Sequence, residues 1–181
     1  FLDGYHALVT SSWLSAYLPT GLDSLIPWSW IASRLFLSVV LLISYAVWRR
    51  ESLFGKAPLR PGTLYWGTGL FTGACFILFT VVPLPQAYFN SLAFARPEEF
   101  LPAALFGLAA IGYYKKRAWE TDTFEHLLLV GLVLNIVAEA AIMPFSANLY
   151  DFEFDFAHLL KIAAYTSVLA GLFVNMYTTY V

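Results

Sequence analysis

Five long apolar runs constrain this chain more than anything else in it. Ser29 to Trp48, Thr63 to Pro83, the stretch from residue 98 to Tyr114, Phe124 to Ser146 and Phe156 to Tyr177 are each close to the length a membrane-spanning helix needs. A span takes about 20 predominantly apolar residues. A soluble fold of 181 residues has no room to bury five such runs. Composition agrees: 60% of residues are hydrophobic and only 12% charged, against about 25% charged in a typical soluble domain. The expected fold is therefore all-α, a polytopic transmembrane helix bundle. It has five full spans plus a partial N-terminal helix over residues 1–18, in a single domain covering residues 1–181. The chain opens on Phe1 inside an apolar stretch, without the charged start of a signal peptide. It reads as a portion of a longer polypeptide.

Charge in the loops sets the orientation. Arg49, Arg50, Lys56 and Arg60 lie between the first two full spans, and Lys115, Lys116 and Arg117 between the third and fourth. The alternate loops carry Arg96 alone, or no Lys or Arg at all in NLYDFEFDF. The positive-inside rule places the basic loops and the C-terminal end in the cytoplasm. Asp151, Glu153 and Asp155 then face outward. Trp13, Trp28, Trp30, Trp48, Trp66 and Trp119 fall near helix ends, as interfacial aromatics do. The expected location is the bacterial inner membrane, with lipids as the surroundings.

Glu139, inside LVLNIVAEAAIMPF, is the residue that most needs an explanation. It precedes Ser146 by seven residues, roughly 10 Å at about 1.5 Å per residue. Arg34, His158 and Lys161 enter their helices from the same outer side, and His6 lies in the partial helix. An ionisable group in hydrocarbon costs about 2.5 to 3.5 kcal/mol by insertion scales, so such groups turn inward and pair. The candidate ligand-binding residues are His6, Arg34, Glu139, His158 and Lys161, together with Asn135, one turn before Glu139 on the same helix face. Snorkelling to the headgroups is as good an explanation for Lys161 and Arg34 taken singly. A purely structural helix tie is the plain alternative for Glu139, with Arg34 as the available cation.

Several function classes drop out. Net charge is −2, so no basic field attracts nucleic acid. One cysteine, Cys75, excludes a disulfide framework and a cysteine zinc site. No HExxH, GxSxG, Walker or GxGxxG pattern occurs, and nothing points to an enzyme. His6, Glu139 and His158 could ligate a metal or a haem, without any spacing signature for either.

The stretch LDSLIPWSWIASRLFLSVVLLISYAVWRRE resembles the third helix of the bacterial membrane-associated sensor domain of the third type (the MASE class). Trp30, Ile31, Ala32, Ser33 and Arg34 match its entry step. Asp3 and His6 match the end of its second helix, Glu139 its sixth helix, and His158, Lys161 and Ile162 the opening of its last. The basic tract Tyr114 to Arg117 is similar too. Leu35, Phe36 and Leu37 depart from the pattern, which has an aromatic residue and a Glu after the helix-three Arg. The resemblance implies a seven-helix sensory module, here without its first helix and most of its second. It also implies an output histidine kinase or diguanylate cyclase in the same chain. The residues alone leave a second reading open: an accessory subunit among the partner subunits of a photosynthetic or respiratory membrane complex.

Overall fold

The computed structural model describes residues 2–9, 11, 17–55, 61–89 and 91–180. Among the described residues, six α-helices follow one another along the chain and no strand occurs. They are α1 (Leu2–Val9), α2 (Leu22–Phe54), α3 (Pro61–Val81), α4 (Phe100–Lys116), α5 (Thr123–Val137) and α6 (Phe152–Tyr180). Among the described residues, three helical stretches are long and apolar enough to cross a membrane: Leu22–Phe54, Thr123–Phe145 and Phe152–Tyr180. The helices expected as two further spans, at Thr63–Pro83 and 98–114, are present as α3, of 21 residues, and α4, of 17 residues. Trp13, Lys56, Arg60 and much of the expected helix over residues 1–18 lie outside the described residues.

The helix ends follow from local chemistry. α2 starts at Leu22, earlier than Ser29, and keeps Pro27 within its opening turns. There the missing N–H forfeits a single intrahelical bond. The helix continues through Arg49, Arg50 and Glu51 and stops at Gly55, whose φ of 83° suits a residue without Cβ. α4 stops at Arg117, in the left-handed region with φ 59°.

The described residues form two compact units. The first comprises residues 1–36 and 47–88. Its core is Leu25 against Phe79, surrounded by Leu18, Trp28, Ala32, Cys75, Phe76 and Leu84. The Trp28 indole donates to the Pro85 carbonyl at 2.9 Å, and the Leu84 amide donates to the Thr20 hydroxyl at 3.0 Å. These bonds tie the segment after α3 to the start of α2.

The second unit comprises residues 37–46 and 89–181. Phe106, Ala109 and Tyr113 of α4 bury themselves against Leu128 and Leu132 of α5, with Leu41 and Tyr45 packed alongside. Antiparallel α5 and α6 approach closely through small residues. A Cβ on Gly131 would meet Val168 Cγ2 at 3.0 Å and the Ala164 carbonyl at 3.2 Å. One on Gly171 would meet Leu127 Cβ and Phe124 Cα, both at 3.2 Å. Ser167 donates to the Leu127 carbonyl at 2.9 Å, a polar tie that suits an apolar surrounding. Large apolar side chains are exposed along the helices of both units, among them Leu70, Ile77, Leu108, Ile111, Ile162 and Phe173. Such a surface is what lipid contact calls for and what water would penalise.

Candidate functional site

Pro144 reshapes the end of α5. A proline ring clashes with the carbonyl four residues before it and offers no N–H. The backbone responds by widening into a π-helical turn over Ala138–Ile142, then tightening into a 3-10 turn over Met143–Phe145. Glu139 sits in that π turn and is fully buried. Single π turns inside α-helices are uncommon and recur at functional sites. The signal in the sequence was Pro144, five residues beyond the carboxylate.

The α5–α6 register shows what lies level with Glu139. Phe124 and Leu127 meet Gly171, Leu127 meets Ser167, and Gly131 meets Ala164. Each step of about one turn along α5 is matched by a step back of one turn on α6. One further turn brings Asn135 level with Lys161, and the next brings Ala138 and Glu139 level with Ala157 and His158. Asn135, Ala138, Ala157 and Lys161 are all buried, as facing positions should be. The Asn135 amide donates to the Gly131 carbonyl at 2.8 Å, which fixes its rotamer. The Lys161 ammonium lies 5.9 Å from the centre of the Tyr165 ring. His158 places Nδ1 2.8 Å from the Phe154 carbonyl and its ring against the Phe154 ring, 4.2 Å between centroids.

The segment entering α4 adds charge to the same end of this unit. Arg96 and Glu99 are fully buried and form an ion pair, with Glu98 3.9 Å from the guanidinium. The Arg96 amide also donates to the Pro144 carbonyl at 3.2 Å. Because α4 and α5 are antiparallel, this bond puts Glu99 within about one helical turn of Glu139 along the axis. Arg96 read as a loop residue in the sequence, and Glu99 as part of a helix start. Neither stood out, because burial of a loop side chain leaves no periodic trace. At the opposite end of α4, Lys116 pairs with Glu125.

Two of the expected site residues, His6 and Arg34, belong to the first unit and form a cluster there. Arg34 is fully buried, with NH2 3.3 Å from the Asp3 carboxylate. Its guanidinium carbon lies 5.2 Å from the Trp30 ring centre. Ser33 donates to the same Asp3 oxygen at 2.8 Å. Asp3, which the sequence reading left out of the site, therefore supplies Arg34 with a carboxylate from α1. Ser29 donates its hydroxyl proton to the Ile26 carbonyl at 2.9 Å. His6 Nδ1 lies 2.8 Å from the Ser29 hydroxyl oxygen, within hydrogen-bonding distance. The His6 ring meets Trp30 edge-on, with centroids 6.1 Å apart.

Among the described residues, no group of three or more His, Cys, Asp or Glu side chains is placed to hold a metal ion. What the structure does hold is buried polar side chains inside apolar helical units. In the second unit Asn135, Glu139, Lys161, Arg96 and Glu99 are buried and His158 is half-buried. In the first unit His6 and Arg34 are buried, with Asp3 paired to Arg34.

No curated protein and no solved structure matches the chain. The profile of a membrane-associated sensor domain, MASE3, matches residues 1–178. Over almost its entire length, then, the chain belongs to the MASE3 family of membrane-associated sensor domains.

Proposed function

We propose that the chain is the transmembrane sensory module of a bacterial signalling protein, in the inner membrane, with the end of α6 on the cytoplasmic side. All five apolar helices α2 to α6 cross the bilayer in this reading, the 17-residue α4 with help from flanking residues. The sensing element is the buried polar layer of Asn135, Glu139, His158 and Lys161, in the outer half of the membrane beside Arg96 and Glu99. His6 and Arg34 form a second polar cluster, within the first unit. The reading involves no catalysis by this chain; the output is a kinase or cyclase activity elsewhere in the protein.

The observation that carries this is Glu139, a carboxylate with no exposed surface, held in a π turn of an apolar helix. A scaffold gains nothing from burying a short acid there, since well-packed apolar residues are commonly as stable as a buried ion pair. Protonation or ligand binding at this layer changes the charge facing α6 at Lys161. α6 is held there by small-residue packing at Gly131 and Gly171 that admits discrete arrangements. The remainder of α6 is exposed from Leu172 to Tyr180, so a shift of the packed half is transmitted along one continuous helix.

The test is the output of the intact signalling protein in its native membrane. Glu139→Gln keeps the shape and removes the charge. It should change basal output several-fold while leaving membrane insertion unaltered. Output equal to wild type across stimulus conditions would count against the reading.

A further inference from the structure

Directly beneath Asn135 and Tyr165, the second unit contains a cleft of about 260 Å³. Leu41 of α2, Leu128 of α5 and Val168 and Leu172 of α6 line its length. By the α5–α6 register, Asn135 lies at one end, with Leu128 about two turns and Leu172 about three turns further along. The polarity is therefore confined to one end. There it consists of an amide and a phenol, both neutral, with the amide oriented by its bond to Gly131. The volume is just under the usual range for compact drug-sized ligands, about 300 to 1,000 Å³. A narrow chain fits it better than a fused ring system.

We propose that this cleft binds an uncharged single-chain lipid, its alkyl or isoprenyl tail lying between α5 and α6 and a carbonyl or hydroxyl head at Asn135 and Tyr165. The proposal rests on the sensory reading and names the class of ligand for it. A neutral head follows from the lining, in which no charged side chain occurs among the described residues. The Lys161 ammonium, 5.9 Å from the centre of the Tyr165 ring, lies outside that lining. A carboxylate placed at Asn135 and Tyr165 would have to be desolvated in an apolar cleft with no lining cation to pair with it. An alcohol, ketone or quinone carbonyl meets only hydrogen-bonding groups. Occupancy would wedge α5 from α6 next to Gly131 and Ala164, where the helices have least slack.

Photo-crosslinking in lipid nanodiscs tests this. The probe is decanol carrying a diazirine at its far end, with adducts mapped by mass spectrometry and competed by decanol, decane and decanoate. Adducts should fall on α5 and α6 between Leu128 and Leu172. Decanol should compete about ten-fold better than decane or decanoate, the factor equivalent to roughly 1.4 kcal/mol. Asn135→Leu should erase the advantage of decanol over decane, and Leu169→Trp, on the cleft wall, should reduce labelling altogether. Equal competition by decane would mean a groove holding any hydrocarbon and would overturn the proposal, as would stronger competition by decanoate. Unchanged labelling in Leu169→Trp would do the same. Output that responds to Glu139→Gln without any decanol labelling removes the ligand and leaves the sensory reading. Labelling without any effect of Glu139→Gln on output does the reverse.

Discussion

Asp3 of α1 lies 3.3 Å from Arg34 of α2, a residue with no exposed surface. The pair is asymmetric, because the Asp3 side chain is 39% exposed while the guanidinium is enclosed. The Arg34 guanidinium lies 5.2 Å from the Trp30 ring centre, one helical turn earlier on the same face of α2. Removing the carboxylate leaves a buried cation with less compensation, which costs on the order of 1 to 3 kcal/mol. Asp3→Ala should accordingly loosen α1. Hydrogen exchange should show the amides of residues 2–9 losing protection while α4 to α6 keep theirs. Equal protection of α1 in both proteins would remove Asp3 from this role.

Gly131 offers a sharper steric expectation. Its missing side chain lets the Ala164 carbonyl come within 3.2 Å of where a Cβ would stand. Backbone cannot move aside as a flexible side chain can, and overpacking of this kind typically costs 1 to 3 kcal/mol, by about that much. Gly131→Val should lower the midpoint of thermal unfolding in detergent. Gly107, which has open space around its Cβ position, should accept Ala without loss. Similar midpoints for the Gly131 and Gly107 variants would contradict the close approach of α5 and α6.

Asp151 governs the start of α6 and should impose a pH dependence. It accepts the Phe154 amide at 2.8 Å on one oxygen, and the Ala147 and Asn148 amides at 2.8 and 3.0 Å on the other. Burial pushes its carboxyl up, but those amides and the Ser146 hydroxyl together hold it below the ordinary aspartate value. A depressed folded value means the charged form is stabilised by folding. That stability is complete above the unfolded value, about 3.9, and is lost as pH falls through the folded one. Asp151→Ala should cost about 1 kcal/mol at neutral pH, the usual loss of a helix cap. Unfolding midpoints followed down to acid should fall less steeply in Asp151→Ala than in wild type. Parallel curves would refute the capping role.

Much of this fold was legible in the sequence, and for a simple reason. Hydropathy alone locates helices that must satisfy their backbone in an apolar solvent. The expected runs correspond to α2 to α6, with ends displaced by a few residues where polar groups such as Arg49 and Arg50 prolong a helix beyond its apolar part. The burial of Glu139 was also legible, since a short acid inside fourteen apolar-rich residues has few explanations. What the pattern did not reveal depends on contacts between distant parts of the chain. Arg96 and Glu99 lie where a loop meets α4, and only the fold shows that Pro144 closes over them. Asp3 looked like a helix-start residue until α1 was seen against Ser33 and Arg34. The π turn was foreshadowed by Pro144, yet a proline announces distortion without saying whether the helix will kink, stop or widen.

The most direct measurement follows α6 itself. Spin labels at Lys115→Cys and Thr178→Cys, two exposed positions of the second unit, would report their separation by electron–electron resonance in nanodiscs, with Cys75 replaced by Ala. If the Glu139 carboxyl group biases α6, the distance distribution of Glu139→Gln should be displaced from that of wild type. Superimposable distributions for the two proteins would show that the buried carboxyl group and α6 are uncoupled.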